Sequence, residues 1–250
     1  MRILGLDFET EVKAVFDPKQ MRITEIGAVL AEKSLDGSGL RPLVLHNEMV
    51  WSKEHVWNDA MQDICGYTKA DLEEFGAEPK AALQRLLALV NRAEYIVAHN
   101  GIKFDKVVLE TECERHGLPF PGVPWIDTTC DLPFPKKIET RKLEFLGPVH
   151  GFLNPFSHRA LFDVLTMLKV LDNYDMLKVV ELAKSPNVTV RAVCAKPFGA
   201  TAERGQKETE AAKARGYRFD GTNKIWVKTI KESQYKEECE ALPFQVVIVK

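Results

Sequence analysis

No stretch of this 250-residue sequence approaches the ~20 consecutive apolar residues that a membrane-spanning helix needs. Membrane association is therefore not expected. Cysteine is sparse as well: five residues, at positions 65, 113, 130, 194 and 239, an odd number with no C-x-x-C spacing. That argues against a disulfide framework or a zinc knuckle and points to reduced thiols in the cytoplasm. The opening residues MRILGLDFET place two acids where a secretion leader requires an apolar stretch, so no leader is expected there. Internal repeats and low-complexity segments are missing too, which removes solenoids and biased tracts. Nor is there a strong excess of charge, since 34 Lys and Arg face 36 Asp and Glu for a formal net charge of −2. The near balance hides an asymmetry: the first 184 residues carry 22 basic and 28 acidic side chains, and the remainder carries 12 and 8. A mildly basic tail is compatible with nucleic acid, but its excess is too small to prove it.

At 45% hydrophobic and 28% charged residues the composition is that of a globular protein. The length suits a domain of about 180 residues plus a small second one. RILGLDFET reads as a strand, and the segment from ITEIGAVL to LRPLVLHNEMV as two more joined at the turn signal DGSG. KAALQRLLALVNR sets Leu83, Leu86, Leu87 and Val90 on one helical face. AEYIVAHN is a buried strand ending at a polar pair, GIKFDKVVLETECERHG a helix stopped by Gly117, and PWIDTTCDL another strand. SHRALFDVLTMLKVLDNY is an amphipathic helix, with Leu161, Val164, Leu165 and Leu168 at helical spacing and Ser157 as its expected N-cap. Strands first, then strands alternating with helices, predict an α/β layer structure: a mixed β-sheet flanked by helices. AKSPNVTV carries linker punctuation. Residues 1–184 and 185–250 are therefore expected to form separate domains, the second a small α+β unit whose hairpin turns at DGTN.

Four acids stand out from this pattern. Asp7 and Glu9 are two apart on a strand, so both carboxylates share a face while Leu4, Leu6 and Phe8 take the other. Two neighbouring acids on an apolar strand resist burial unless a cation sits between them; otherwise they are solvated at a strand end. Asp105 opens the helix after a buried strand, where a carboxylate also serves as an ordinary cap. Asp163 is bracketed by Leu161, Phe162, Val164 and Leu165, which leaves little room for it on a polar face. Gathered at one sheet edge, four such acids make an all-oxygen site suited to Mg²⁺ or Mn²⁺ and not to zinc. Two such ions about 4 Å apart are a standard means of cleaving a phosphodiester.

Taken in order, LDFET, Glu25 in ITEIGAVL, VAHNGIKFD, IDTT and SHRALFD resemble the DEDD 3′→5′ exonucleases, in the subtype with a histidine five residues before the last Asp. The resemblance covers residues 1 to about 172 and takes in the proofreading subunit of bacterial replicases as well as ribonucleases. It implies an RNase H-like fold in which Asp7, Glu9, Asp105 and Asp163 ligate two divalent ions. His158 would be the general base toward the attacking water, work that suits an imidazole because the group titrates near neutral pH. Thr10, Asn100 and Phe104 would contact substrate, His99 and Asn100 would shape the site without ligating, and Glu25 would support it from behind the ligands. The implied partners are single-stranded DNA or RNA 3′ ends, with a DNA polymerase as a companion. Where relatives commonly continue the first motif with Thr-Gly, this chain reads TEV.

Outside these motifs, FPKKIETRKLEF clusters Lys136, Lys137, Arg141 and Lys142, either as a phosphate clamp or as a solvated helix face. Trp51, Trp57 and Trp125 are expected in the core and not as base-stacking platforms. The tail resembles a small module of proteins from mobile elements and phages, with Lys213, Gly216, Phe219, Asp220, Lys224 and Trp226 in its pattern. Arg215, Arg218, Lys224 and Trp226 would hold single-stranded nucleic acid by charge and stacking, unless Trp226 is simply the core of the unit. The expected activity is release of nucleoside monophosphates from single-stranded or frayed DNA 3′ ends. Trimming of RNA ends, a non-catalytic nucleic-acid-binding subunit and a structural ion site stand as rivals.

Overall fold

Strand β1 (Arg2–Thr10) alternates between two cores. Leu4, Leu6 and Phe8 belong to one apolar cluster and Ile3 to another, so the strand is buried on both sides. That is how a central strand reads. The computed structural model describes residues 1–34, 39–135, 137–138, 140–195 and 199–249. They divide into two units, Met1–Ala183 and Lys184–Lys250.

In the first unit, β1 pairs antiparallel with β2 (Ile23–Lys33), which pairs antiparallel with β3 (Leu40–Met49). On its other side β1 pairs parallel with β4 (Tyr95–Ala98), and β4 with β5 (Trp125–Asp127). The order β3-β2-β1-β4-β5 makes a five-stranded mixed sheet with β1 at its centre. Of the expected β2–β3 turn, Asp36, Gly37 and Ser38 lie outside the described residues. Helices α1 (Ala60–Cys65) and α2 (Lys69–Phe75) lead into α3 (Pro79–Val90), and α4 (Asp105–His116) follows β4. Leu83 and Leu86 of α3 and Val108 and Leu109 of α4 pack against the Leu4, Leu6 and Phe8 face. The opposite face is covered by α5 (Leu143–Val149), α6 (Ala160–Leu171) and α7 (Met176–Lys184), through Leu146, Val164, Leu168 and Val179. No helix of the described residues is long and apolar enough to cross a membrane. Trp125 is in the core, whereas Trp51 and Trp57 are half-buried beside Met61, Cys65, Tyr67 and Leu72.

Two glycines let α6 lie close against the sheet. A Cβ at Gly27 would fall 2.2 Å from the backbone carbon of Ala160 and 2.3 Å from the Leu161 nitrogen. At Gly5 it would meet Val164 Cγ1 at 2.8 Å. The helix begins later than its sequence suggests. Arg159, not Ser157, holds the N-cap position and its side chain makes no cap bond. The first-turn N–H of Ala160 goes to the Glu25 carboxylate at 3.3 Å, and Asp163, inside the first turn, reaches back to accept the His158 N–H at 3.0 Å.

The second unit is a four-stranded antiparallel sheet with two helices. Its strands are β6 (Asn187–Val193), β7 (Arg218–Asp220), β8 (Ile225–Lys231) and β9 (Gln245–Ile248), in the order β7-β8-β6-β9. Helices α8 (Ala202–Ala214) and α9 (Tyr235–Glu240) complete it. Val190, Ala192, Ala212, Tyr217, Ile230, Phe244 and Val246 form its core, with Trp226 at the margin.

Gly27→Ala should lower stability by about 1–3 kcal/mol or more, because an added methyl meets helix backbone that cannot rotate aside. Gly122→Ala, where a Cβ meets open space, should be neutral or slightly stabilising through the unfolded chain. Urea unfolding of both variants checks this pair; equal midpoints would contradict the close packing.

Candidate metal and catalytic site

The parallel strands β1, β4 and β5 end at one edge of the sheet, which is where open α/β sheets bind ligands. Asp7 and Glu9 lie at that end of β1 and both are half-buried. Asp105 opens α4 and is buried, its Oδ1 accepting the Phe8 N–H at 3.0 Å. The carboxylate is therefore tied to the residue between Asp7 and Glu9. Asp163 lies in the first turn of α6 and accepts from Asn154 Nδ2 at 2.7 Å and from the His158 N–H. Ligand atoms of Glu9, His158 and Asp163 all lie within 4.8 Å of one another, a spacing that one cation could bridge.

The electrostatics express the same crowding. Burial, with Asp105, Glu9, Asp163 and Glu25 nearby, holds the Asp7 carboxyl well above the usual carboxylate range. Burial pushes Glu9 up to about 8, against a hydrogen bond from the Cys65 thiol to Glu9 Oε2 at 3.4 Å. Asp105 is likewise pushed to about 8 by burial, against the Phe8 N–H. Asp163 is raised by burial, against its bond from His158. Among the described residues no Lys or Arg pairs with any of the four carboxylates. Carboxylates packed this way, mostly oxygen donors beside one imidazole, fit a hard divalent cation.

Glu25 stands apart from this set. It lies directly opposite Glu9 in the β1–β2 register and is 0% exposed. Arg159 Nε and Nη2 grip its carboxylate at 2.9–3.2 Å, and the Ala160 N–H adds a bond at 3.3 Å. Glu25 thus has its cation in the chain and serves to seat α6. Arg159 escaped sequence reading although it sits beside His158; an acid in the apolar run ITEIGAVL was the signal that a basic partner was needed. Asp127 was missed as well. Its carboxylate accepts the N–H groups of Asn100 (3.0 Å), Ile102 (3.2 Å) and Thr129 (2.9 Å), and so fixes the loop after β4.

The substrate-contact candidates are spread around these acids. Asn100 adopts φ +61°, and its backbone, not its side chain, is what Asp127 holds. Phe104 stacks on Phe16 with ring centroids 5.9 Å apart. Thr10 Oγ1 donates to the Glu11 carbonyl at 3.4 Å. His99 bonds through Nδ1 to Thr128 Oγ1 at 2.8 Å. His158 is exposed, with φ +62°, a left-handed conformation uncommon outside glycine. Beside it opens a groove of about 390 Å³ lined by His99, Lys142, Leu143, Leu153, Asn154, His158 and Asp163. Of the basic cluster, Lys136 lies outside the described residues. Arg141 sits 4.1 Å over the Phe134 ring, and α5 starts only at Leu143, so the cluster is not a helix face.

The sequence model of the RNase T exonuclease family matches residues 4–171. The chain belongs to that exonuclease family. Its first unit has the family's RNase H-like fold, and the solved structures agree. A zinc-bound complex of E. coli exonuclease I with single-stranded DNA superposes with a TM-score of 0.62 at 16% identity, over 80% of this chain and 49% of that one. The same enzyme with a dA16 oligonucleotide gives 0.59 at 14% identity, over 80% and 49%. A 3′-exonuclease that recognises the 3′ end of the histone mRNA stem-loop gives 0.54 at 16%, over 71% and 81%. At these identities the likeness is one of fold, and the chain spans about half the length of the exonuclease I structures. No curated protein sequence matches it.

The raised carboxylates set the sign of a proton linkage. Such groups keep their protons in the folded, ion-free protein, so stability falls as pH rises from about 4.5 toward about 8. A divalent cation should expel those protons. Calorimetry of Mg²⁺ binding at pH 7, in buffers of different ionisation enthalpy, should show net proton release that fades above about pH 9. No buffer dependence at pH 7 would contradict the crowding.

Proposed function

We propose that the protein is a divalent-metal-dependent 3′→5′ exonuclease that acts on single-stranded or frayed DNA 3′ ends and releases nucleoside 5′-monophosphates. The observation that carries this reading is the meeting of Asp7, Glu9, Asp105 and Asp163 at the end of the central strand, with His158 at their margin. Asp7, Glu9, Asp105 and Asp163 would hold the ions, Mg²⁺ or Mn²⁺. When bound, these supply Lewis acidity at the scissile phosphate and at the attacking water.

The chain's own residues do the rest. His158 accepts the water's proton at its imidazole, which is exposed on the groove side while its backbone is tied to Asp163. Asn154 holds the other Asp163 oxygen and fixes the carboxylate's orientation. Lys142 lines the same groove, and its ammonium, 3.3 Å from the exposed Glu144 carboxylate, would exchange that partner for the substrate's phosphates. Proofreading beside a DNA polymerase is the narrower form of this reading. RNA trimming is the alternative, favoured by the likeness to the histone mRNA 3′-exonuclease. A non-catalytic subunit is disfavoured by the complete acid set. An unrelated structural ion site is disfavoured by the place of Asp7 on the central strand.

Asp7→Ala should abolish cleavage of labelled oligonucleotides in Mg²⁺ while leaving the thermal midpoint in chelator equal or higher, because a repelled carboxylate is gone. Retained cleavage would remove Asp7 from the site. His158→Ala should lower turnover by ~10²–10⁴-fold with metal affinity kept, as for loss of a general base. A collapse of affinity would make His158 a ligand instead, as its proximity to Glu9 and Asp163 allows. Degradation ladders on matched 5′-labelled DNA and RNA oligonucleotides decide the substrate; faster loss of DNA is expected.

A further inference from the structure

The second unit takes no part in the chemistry above, yet its charges are disposed unevenly. Several of its described cations are engaged: Arg204 with Glu208, Lys207 with Glu203, Lys236 with Glu240, and Arg215 and Lys228 both with Glu238. Arg215, an attractive nucleic-acid contact in the sequence, is thereby committed to the fold. Among the described residues, Arg191, Lys213, Arg218 and Lys224 are exposed and pair with no carboxylate. Asp220, the acid nearest Arg218 and Lys224 in sequence, is occupied by the turn N–H groups of Thr222 and Asn223 and by the Asn223 amide. Arg218 and Lys224 lie on β7 and in the turn to β8, with Arg191 on the neighbouring β6 and Lys213 beside Trp226 of β8, so unpaired positive charge gathers around this hairpin.

Aromatic surface lies at the same edge. Phe219, on the edge strand β7, pairs directly opposite Trp226 of β8, so both rings share a face. Their centroids are 5.4 Å apart, and the Lys213 ammonium sits 5.5 Å from the Trp226 ring. Trp226 is half-buried at the margin of the core, whereas Phe219 is 54% exposed. A large apolar ring left open on a three-residue edge strand adds little to the fold. Supported from behind by Trp226 and ringed by free cations, it has the make-up of a stacking platform for an unpaired base.

We infer that the β7–β8 edge of the second unit binds single-stranded nucleic acid, with Phe219 stacking a base and Lys213, Arg218 and Lys224 meeting phosphates. Every base has a π-face and every link a phosphate, so this surface grips without regard to sequence. It would keep hold of a strand whose 3′ end is being shortened elsewhere on the chain. The choice of ligand rests on the exonuclease reading.

The test is fluorescence anisotropy of labelled oligothymidylate and oligouridylate of about 20 nucleotides, bound by the full chain in chelator to prevent hydrolysis. Phe219→Ala should weaken binding about tenfold, and Phe219→Tyr should restore it. Lys213→Glu, Arg218→Glu and Lys224→Glu together should reduce the salt slope of log K by about 2, at ~0.7 per phosphate contact on a single strand. Thermal midpoints should stay unchanged, since all four side chains are exposed. Unchanged affinity and slope would overturn the inference, as would duplex DNA bound equally well with the same dependence on Phe219. Cleavage of a trinucleotide in Mg²⁺, run on the same variants, separates the two claims. If the unsubstituted protein cleaves and the variants bind normally, only this inference fails; if the unsubstituted protein cleaves nothing, the exonuclease reading fails.

Discussion

The structure of the first unit depends on how α6 is seated against β2. Two ion pairs pin the helix, one at each end: Arg159 on Glu25 at its start, and Lys33 on Asp172 at its finish, Nζ to Oδ1 2.7 Å. The anchoring acid and lysine on β2 are eight residues apart, about 26 Å of strand, and the helix span between their partners is about 20 Å long. Both Glu25 and Lys33 are almost wholly buried, so either would be costly alone. Between the pins, Gly27 and Gly5 remove the side chains that would hold the helix off. A pair of buried charges adds little net stability over apolar replacements, but it specifies one seating out of several that an apolar helix face would accept. Here the seating sets Asp163 beside Asp7 and Glu9.

That geometry creates the problem a cation would solve. Asp7, Glu9, Asp105 and Asp163 are crowded in a half-dry setting, and no Lys or Arg among the described residues pairs with them, whereas Glu25, one strand away, has Arg159. The contrast separates two kinds of buried acid on one sheet. One is neutralised within the chain and serves structure. The other is left for something from outside.

Much of this was legible in the residues because it obeys short periods. Alternation in RILGLDFET put Asp7 and Glu9 on one face, and the alternation of strands with helices indicated the mixed sheet. What the sequence hid were contacts made across long separations. Glu25 and Arg159 are 134 residues apart and Lys33 and Asp172 139, so neither leaves a local trace beyond an ionisable residue in an apolar run. Ser157 misled for the opposite reason. It fits the local rule for an N-cap, but Asp163, one turn into the helix, takes the free N–H of His158 and the helix starts at Ala160. In the tail, composition could not say which cations were free; only the pairing of Arg215 and Lys228 with Glu238 sorts them.

The central claim is that these four carboxylates share divalent ions. Diffraction from crystals soaked in Mn²⁺, recorded for anomalous scattering, addresses it most directly. Anomalous peaks should stand among the carboxylate oxygens of Asp7, Glu9, Asp105 and Asp163, at about 2 Å as for small hard cations. Peaks confined to other parts of the surface, or a manganese ion that Asp7 does not touch, would contradict it.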